Sequence, residues 1–338
     1  MISVQAYSRL HLGVLRPEGE AAAPLERTSA RWFGGVGLMI ERPGLRVRVR
    51  PASSWSATGP LAERALTFAR RFAQNIQQEE GHRDVPPRQL SIEQIAPQHA
   101  GLGTGTQLGL AIAQALAVSW ELDCDIRTLA HRVGRGLRSA LGAHGFEQGG
   151  LLVESGKNSA DRLAPLVARL PFPESWRVVL ILPSTDEMNI GLHGVREVEA
   201  FAQLAARPAA ANQTDILCRL VLLGLLPAVV ERDVDAFGEA LYEFNARVGE
   251  AFAPVQGGVY ASARITELVA FVRGQGVRGV GQSSWGPTVF AVVADEDRAE
   301  CLAAQLRNHC VLEETTVLVT PACNHGALLE REHEEILV

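Results

Sequence analysis

This sequence predicts an α+β fold of two fused subdomains, on three observations. A glycine-rich run, Pro97-Gln98-His99-Ala100-Gly101-Leu102-Gly103-Thr104-Gly105-Thr106-Gln107-Leu108-Gly109, joins a small-residue turn to the start of an apolar helix. The succession of strands and helices breaks at Pro171-Phe172-Pro173 and then restarts, dividing the chain into an N-terminal subdomain, 1–170, that carries the loop and a C-terminal α+β subdomain, 171–338. At 338 residues the chain is also too long for one simple core.

The N-terminal elements follow from periodicity. Alternation from Ile2 to Tyr7 gives a strand, and further strands are predicted near 35–41, 45–50, 88–95 and 149–154. Helices are predicted near 61–78, where Leu61, Ala65, Phe68, Phe72 and Ile76 form one apolar stripe, near 106–120, and near 126–138, with Asp125 as N-cap. Arg16 to Pro24 reads as a surface loop. In the second half Arg177 to Pro183 is a buried strand, helices are expected near 194–206, 213–226, 233–249 and 261–273, and Pro287 to Ala294 and Thr316 to Thr320 supply strands. The most hydrophobic run, Ile216 to Val230, is interrupted by Arg219 and Pro227, is shorter than a bilayer span and reads as a buried helix.

Composition narrows the function. The apolar fraction of 47% is that of a globular protein, and a net charge of −6 gives no general attraction to nucleic acid or membrane, so an anionic ligand needs a local site. The five cysteines are odd in number and contain no CxxC pair, which argues for reduced thiols and a cytoplasmic protein. No targeting signal opens the sequence.

The run from Pro97 has the chemistry of a phosphate site. Gly101, Gly103 and Gly105 allow positive φ and close backbone approach, the first amides of the helix have no internal partner, and Leu102, Thr104, Thr106 and Gln107 complete the cradle with hydroxyl and amide groups. It is not a Walker loop, because no Gly-Lys-Ser/Thr follows, nor a Rossmann fingerprint, because no acidic residue stands at the ribose position. It resembles the second motif of the GHMP superfamily, Pro-x-x-x-Gly-Leu-Gly-Ser-Ser. Ala6-Tyr7-Ser8-Arg9-Leu10-His11 and Gly279 to Ala291 stand where that superfamily has its first and third motifs. A GHMP kinase-like two-subdomain fold, its glycine-rich phosphate loop leading into a helix, is what this resemblance implies.

Within the superfamily, Arg9-Leu10-His11, Arg31 to Leu38, Gly134 to Gly150, Gly281 to Pro287 and Asn324-His325-Gly326-Ala327 resemble the beta-ribofuranosylaminobenzene 5'-phosphate synthase family of tetrahydromethanopterin biosynthesis. The resemblance implies a decarboxylating pentosyltransferase. It would condense phosphoribosyl pyrophosphate with para-aminobenzoate or para-hydroxybenzoate, releasing carbon dioxide and pyrophosphate. A homodimer, and magnesium bound with the pyrophosphate, are expected with it. The alternative is a GHMP small-molecule kinase using ATP. Many such kinases carry an aspartate after a Ser-Gly pair; here Ser139 is followed by no carboxylate until Glu147. Attack on the anomeric carbon by the ring carbon that bears the carboxylate needs no such base, since loss of carbon dioxide restores the aromatic ring.

The candidate residues follow from these segments. Arg138, His144 and Glu147 are the catalytic candidates, Glu147 being also a possible magnesium ligand. Arg9, His11 and Arg31, with Arg138 and His144, are candidate cations for the carboxylate and the ribose 5-phosphate. Ser139, Gln282, Ser283 and Ser284 offer polar contacts, and Trp285 offers an aromatic wall for the arene.

Overall fold

The computed structural model describes residues 1–16, 31–81, 85–159, 162–182, 203, 212–284, 286–309 and 315–331. In the first half β1 (Ile2–Arg16), β2 (Phe33–Pro51), β3 (Ser56–Thr58), α1 (Ala62–Glu80), β4 (Arg88–Gln94), α2 (Thr104–Ser119), α3 (Ile126–Arg132), α4 (Leu141–Gln148), β5 (Leu151–Glu154) and β6 (Leu166–Leu170) follow in order. The second half holds β7 (Arg177–Leu182), α5 (Gln213–Leu220), a π-helical turn (Val221–Leu225), α6 (Leu226–Glu231), α7 (Val234–Gln256), α8 (Ala263–Gly274), β8 (Gly279–Gln282), β9 (Val289–Val293), α9 (Glu296–Asn308), β10 (Thr316–Pro321) and β11 (Leu328–Arg331).

Two sheets organise the chain. The first has the order β11-β1-β2-β4-β3, with β5 on β2 and β6 on β5; the second runs β10-β7-β9-β8. β11 returns from the end of the chain to pair antiparallel with β1, Val4 opposite Leu329. Apolar residues of α1 and α2 (Phe68, Phe72, Leu108, Ile112) bury against Val47 and Leu90 of the first sheet. A second core, with Phe172, Trp176, Phe237 and Phe244, joins Leu10 and Leu12 of β1 to Leu180 and Phe290 of the second sheet. Asn245 of α7 stitches the halves, its Nδ2 donating to the carbonyls of Leu12 (2.8 Å) and Gln282 (2.9 Å).

Three sequence readings change. The strands predicted near 35–41 and 45–50 are one strand, because pairing with β1 runs from Phe33 to Val49 on either side of Pro43. The helix predicted over 126–138 ends at Arg132, since Gly134 (φ 66°) and Gly136 (φ 78°) are left-handed. The run Ile216 to Val230 lies in a continuous helical segment, 213–231, that by length and composition is apolar enough to cross a membrane. It is not a buried helix: Leu217, Val221 and Leu225 face the core, while Leu222, Leu223 and Val230 are exposed. The readings at 16–24 and 194–206 fall largely outside the described residues.

Candidate active site

The loop before α2 is built by backbone contact with a distant segment. Gly101 (φ 81°) and Gly103 (φ 70°) are left-handed. A Cβ on Gly101 would stand 2.4 Å from the Ser283 carbonyl oxygen, and one on Gly286 would stand 2.4 Å from the Gly101 Cα, so no side chain fits between the two turns. Ser283, fully buried, locks them by donating its hydroxyl to Gly101 O (2.8 Å) and accepting the His11 amide (3.0 Å). The Ser284 amide donates to His11 O (3.1 Å) and the Arg9 amide to Leu102 O (2.9 Å). The β8–β9 turn, the loop and β1 thus form one floor.

Of the polar groups expected at the phosphate, two support the loop instead. Thr104 Oγ1 donates to Pro97 O (2.8 Å), and Gln107 Nε2 ties α2 to α4 through Gly142 O (2.8 Å). The Thr106 and Gln107 amides both donate to Gly103 O (3.0 and 3.1 Å), which leaves the Thr104 and Gly105 amides at the mouth of the helix, where its dipole is positive. Gly105 lies inside α2 with no positive φ; what it provides is room, because a Cβ there would stand 2.4 Å from an Arg64 guanidinium nitrogen and 3.4 Å from one of Arg135.

At this helix mouth lies a cavity of about 310 Å³ lined by Arg9, His11, Thr106, Arg135, Arg138, Ser139 and Ser284, with Gly34, Gly134, Gly136 and Gly142 among its further walls. None of its described lining residues is Asp or Glu. Arg64 and Arg135 are basic side chains beside the helix mouth that the sequence reading did not single out. Arg64 donates to Gln98 Oε1 (2.8 Å), and Arg135 lies over the Phe68 ring (4.8 Å) with an Nε that has no hydrogen-bond partner among the described residues. Burial, then the charges of Arg64, Arg71 and Arg138, lower the Arg135 pKa to about 10. The group is still protonated at neutral pH, so an anion bound beside it would offset its repulsion with its neighbours. The sequence signal was the Gly134-Arg135-Gly136 triplet, where two glycines hold the arginine out of a helix.

The predicted site residues divide. Arg9, Arg138, Ser139, Thr106 and Ser284 line the cavity. His11 lines it too, but burial, and after it the Arg9 charge, lower its pKa well below 6.5, so it supplies a neutral imidazole and not a cation. His144 is buried and places Nε2 2.8 Å from the Ala164 carbonyl, away from the cavity. Glu147 is exposed on the last turn of α4 and accepts from Gln148 Nε2 (3.0 Å). Both are carried off because only the N-terminal end of α4, at Gly142, reaches the cavity wall. Arg31 donates to Gly156 O (2.9 Å) and faces a neighbouring cavity. Gln282 shapes the turn, donating to Ser284 O (3.1 Å) and accepting the Ala261 amide (2.9 Å). Trp285 lies outside the described residues.

A buried carboxylate stands behind the wall. Glu154 at the end of β5 is fully buried; its Oε2 accepts the Ala140 amide (2.6 Å), and the Ser139 hydroxyl bonds the same carboxyl. Lys157 donates to the Leu137 carbonyl, so one side chain at the end of β5 and one just beyond it hold the backbone at Ala140 and Leu137. Burial raises the Glu154 pKa from 4.5 to about 7, against smaller lowering by Ser139, Ala140, Arg9 and Lys157. Between those two values the folded protein holds a proton that the unfolded chain has lost, so stability falls as pH rises from 4.5 to about 7, by on the order of 3 kcal/mol. Glu154→Gln is expected to flatten that part of the curve in urea melts run at each pH; an unchanged slope would show that Glu154 does not titrate there.

Among the described residues the donor set does not suit a protein-held magnesium ion. Hard cations take carboxylate oxygens, and the described carboxyl beside this wall, Glu154, faces Ala140 and Ser139 from behind it. No group of three or more His, Cys, Asp or Glu side chains placed to hold a metal occurs among the described residues.

Residues 67–148 match the description "GHMP kinases N terminal domain", and residues 225–312 match "GHMP kinases C terminal". The chain belongs to the GHMP family. Among solved structures this GHMP protein is similar to mevalonate-3-kinase of Thermoplasma acidophilum, with a TM-score of 0.65 and 14% identity over 98% of this chain and 99% of that one, a likeness of fold. It is 29% identical to the beta-ribofuranosylphenol 5'-phosphate synthase of Methanothermobacter thermautotrophicus, over 95% of this chain and 96% of the relative. It is also 29% identical to the synthase of the same name from Archaeoglobus fulgidus, over 98% of this chain and all of the relative. These matches, at 26–29% identity over 85–98% of this chain, make it similar within the GHMP family to the ribofuranosylphenol 5'-phosphate synthases.

Proposed function

We propose that this GHMP protein is a cytoplasmic, homodimeric pentosyltransferase that condenses phosphoribosyl pyrophosphate with para-hydroxybenzoate or para-aminobenzoate, releasing carbon dioxide and pyrophosphate, as in tetrahydromethanopterin biosynthesis. The observation that carries this reading is the cavity at the mouth of α2, lined by Arg9, Arg135 and Arg138 and by no carboxylate among its described residues. The two archaeal relatives are named for a ribofuranosylphenol product, which favours the para-hydroxy acceptor.

In this reaction the ring carbon bearing the carboxylate forms a bond to the anomeric carbon as the bond from that carbon to the pyrophosphate oxygen breaks. The bond to the carboxylate then breaks, its electron pair restores the aromatic ring, and carbon dioxide leaves. No proton has to be removed from the attacking atom. What the protein supplies is stabilisation of the departing pyrophosphate, by the Thr104 and Gly105 amides and by Arg9, Arg64 and Arg135. Arg138, on the cavity wall, would neutralise the acceptor carboxylate, and the apolar walls at Val14 and Phe33 help to keep water from the developing ribosyl cation. Magnesium enters as the counter-ion of the pyrophosphate, not as a resident of the chain.

The test is incubation with phosphoribosyl pyrophosphate, magnesium and para-hydroxybenzoate labelled in its carboxyl carbon. Labelled carbon dioxide and pyrophosphate are expected in equal amounts. Phosphoryl transfer from ATP to a small alcohol, with no label released, would overturn the reading.

A further inference from the structure

Beside the cavity just described lies a larger one, of about 570 Å³, on the other side of the segment that carries Arg135. The two share Arg135, Gly136 and Leu137 as a common wall. Arg31, Arg127, His131, Lys157 and Arg162 complete its basic lining. Among its described lining residues the single carboxylate, Glu79, is already engaged by Arg132 at 2.9 Å. In a chain of net charge −6, six basic side chains facing one concavity with one committed counter-charge are the reverse of the average surface. Lys157 is moreover buried, which a solvated basic face does not require.

We propose that this outer cavity binds a phosphate monoester, namely the 5-phosphate of the phosphoribosyl donor, while the inner cavity holds its pyrophosphate, the donor lying across the Gly134–Arg138 segment with Arg135 shared between its two ends. The inference rests on the reading given under Proposed function and adds to it the residues that grip the far end of the donor. A carboxylate would be matched by one arginine; a dianion with three acceptor oxygens suits a ring of donors from α3 (Arg127), from the strap after β5 (Lys157, Arg162) and from the entry to β2 (Arg31). The arrangement also accounts for the position of Arg135 between two cavities, where neither offers it a carboxylate partner among the described residues.

Two probes separate the ends of the donor: ribose 5-phosphate, which carries only the monoester, and inorganic pyrophosphate. Arg127 and Arg162 are exposed, so the double variant Arg127→Gln/Arg162→Gln leaves the core untouched. By titration calorimetry it is expected to lose at least about tenfold in affinity for ribose 5-phosphate while its affinity for pyrophosphate stays within about twofold. In turnover, KM for phosphoribosyl pyrophosphate should rise at least about tenfold with kcat within about threefold. Equal affinity of wild type and double variant for ribose 5-phosphate would overturn the assignment, and so would a wild type that does not bind it. Since labelled carbon dioxide would still be released in that event, the failure would be distinct from failure of the synthase reading, which the wild-type label assay reports alone.

Discussion

Gly101→Val is expected to abolish turnover, with at least a hundredfold loss of kcat/KM, equivalent to about 2.7 kcal/mol of barrier. Two physical terms act together. A β-branched residue in the left-handed region is strained by about 1–2 kcal/mol, and the new Cβ would stand 2.4 Å from the Ser283 carbonyl oxygen, a backbone atom that cannot rotate away. The loop must therefore separate from the β8–β9 turn, and the Ser283 hydrogen bonds to Gly101 and His11 break with it. Because the contact joins residues 182 positions apart, the melting temperature should fall as well. Weakened pyrophosphate binding in a protein whose circular dichroism is native at 20 °C is the expected signature; wild-type affinity in that folded variant would show that the anion does not sit on this loop.

Arg135→Met is expected to separate activity from stability in the opposite sense. Methionine keeps an unbranched apolar stem to lie against Phe68 but removes a charge from a cluster that includes Arg64, Arg71 and Arg138. Loss of a hydrogen bond to a charged ligand group costs about 1.5–3 kcal/mol, so the affinity for phosphoribosyl pyrophosphate should fall between about tenfold and a hundredfold. Without ligand the variant should melt at or above the wild-type temperature, because like-charge repulsion is relieved. Ligand stabilisation, about 2.7 kcal/mol at a hundred times the dissociation constant, should shrink at fixed donor concentration. A variant that melts lower and binds the donor normally would make Arg135 a packing residue.

Much of the architecture was legible because it is written in local periods. The stripe Leu61, Ala65, Phe68, Phe72, Ile76 is a helix face by its spacing, and Val178 to Leu182 is a buried strand by its unbroken apolar run. The glycine-rich loop was legible for a related reason: a run of glycines and threonines directly in front of an apolar helix is a local pattern, visible before its distant contacts are known. Arg9, Arg138, Ser139, Thr106 and Ser284, which line the cavity, were singled out because they stand in the segments that carry the family resemblance. His144 and Glu147 stand in the same kind of segment and yet leave the cavity, since a helical turn points successive residues in different directions and only the first turn of α4 touches the site.

The residues that went unseen are those whose role depends on contacts far along the chain. Glu154 reads as an ordinary strand-end carboxylate; only the folding of Ala140 onto it, with solvent excluded, makes it a carboxyl that titrates near 7. Arg64 reads as a polar position on an amphipathic helix until the absence of a Cβ at Gly105 lets it reach the mouth of α2. Sequence by itself determined most of the elements and the position of the glycine-rich loop, because these depend on neighbours within a turn or two. Tertiary structure alone decided which charges converge, which histidine stays neutral and which carboxyl keeps its proton, because Coulomb and desolvation terms depend on distance and burial through space, and a linear sequence carries neither.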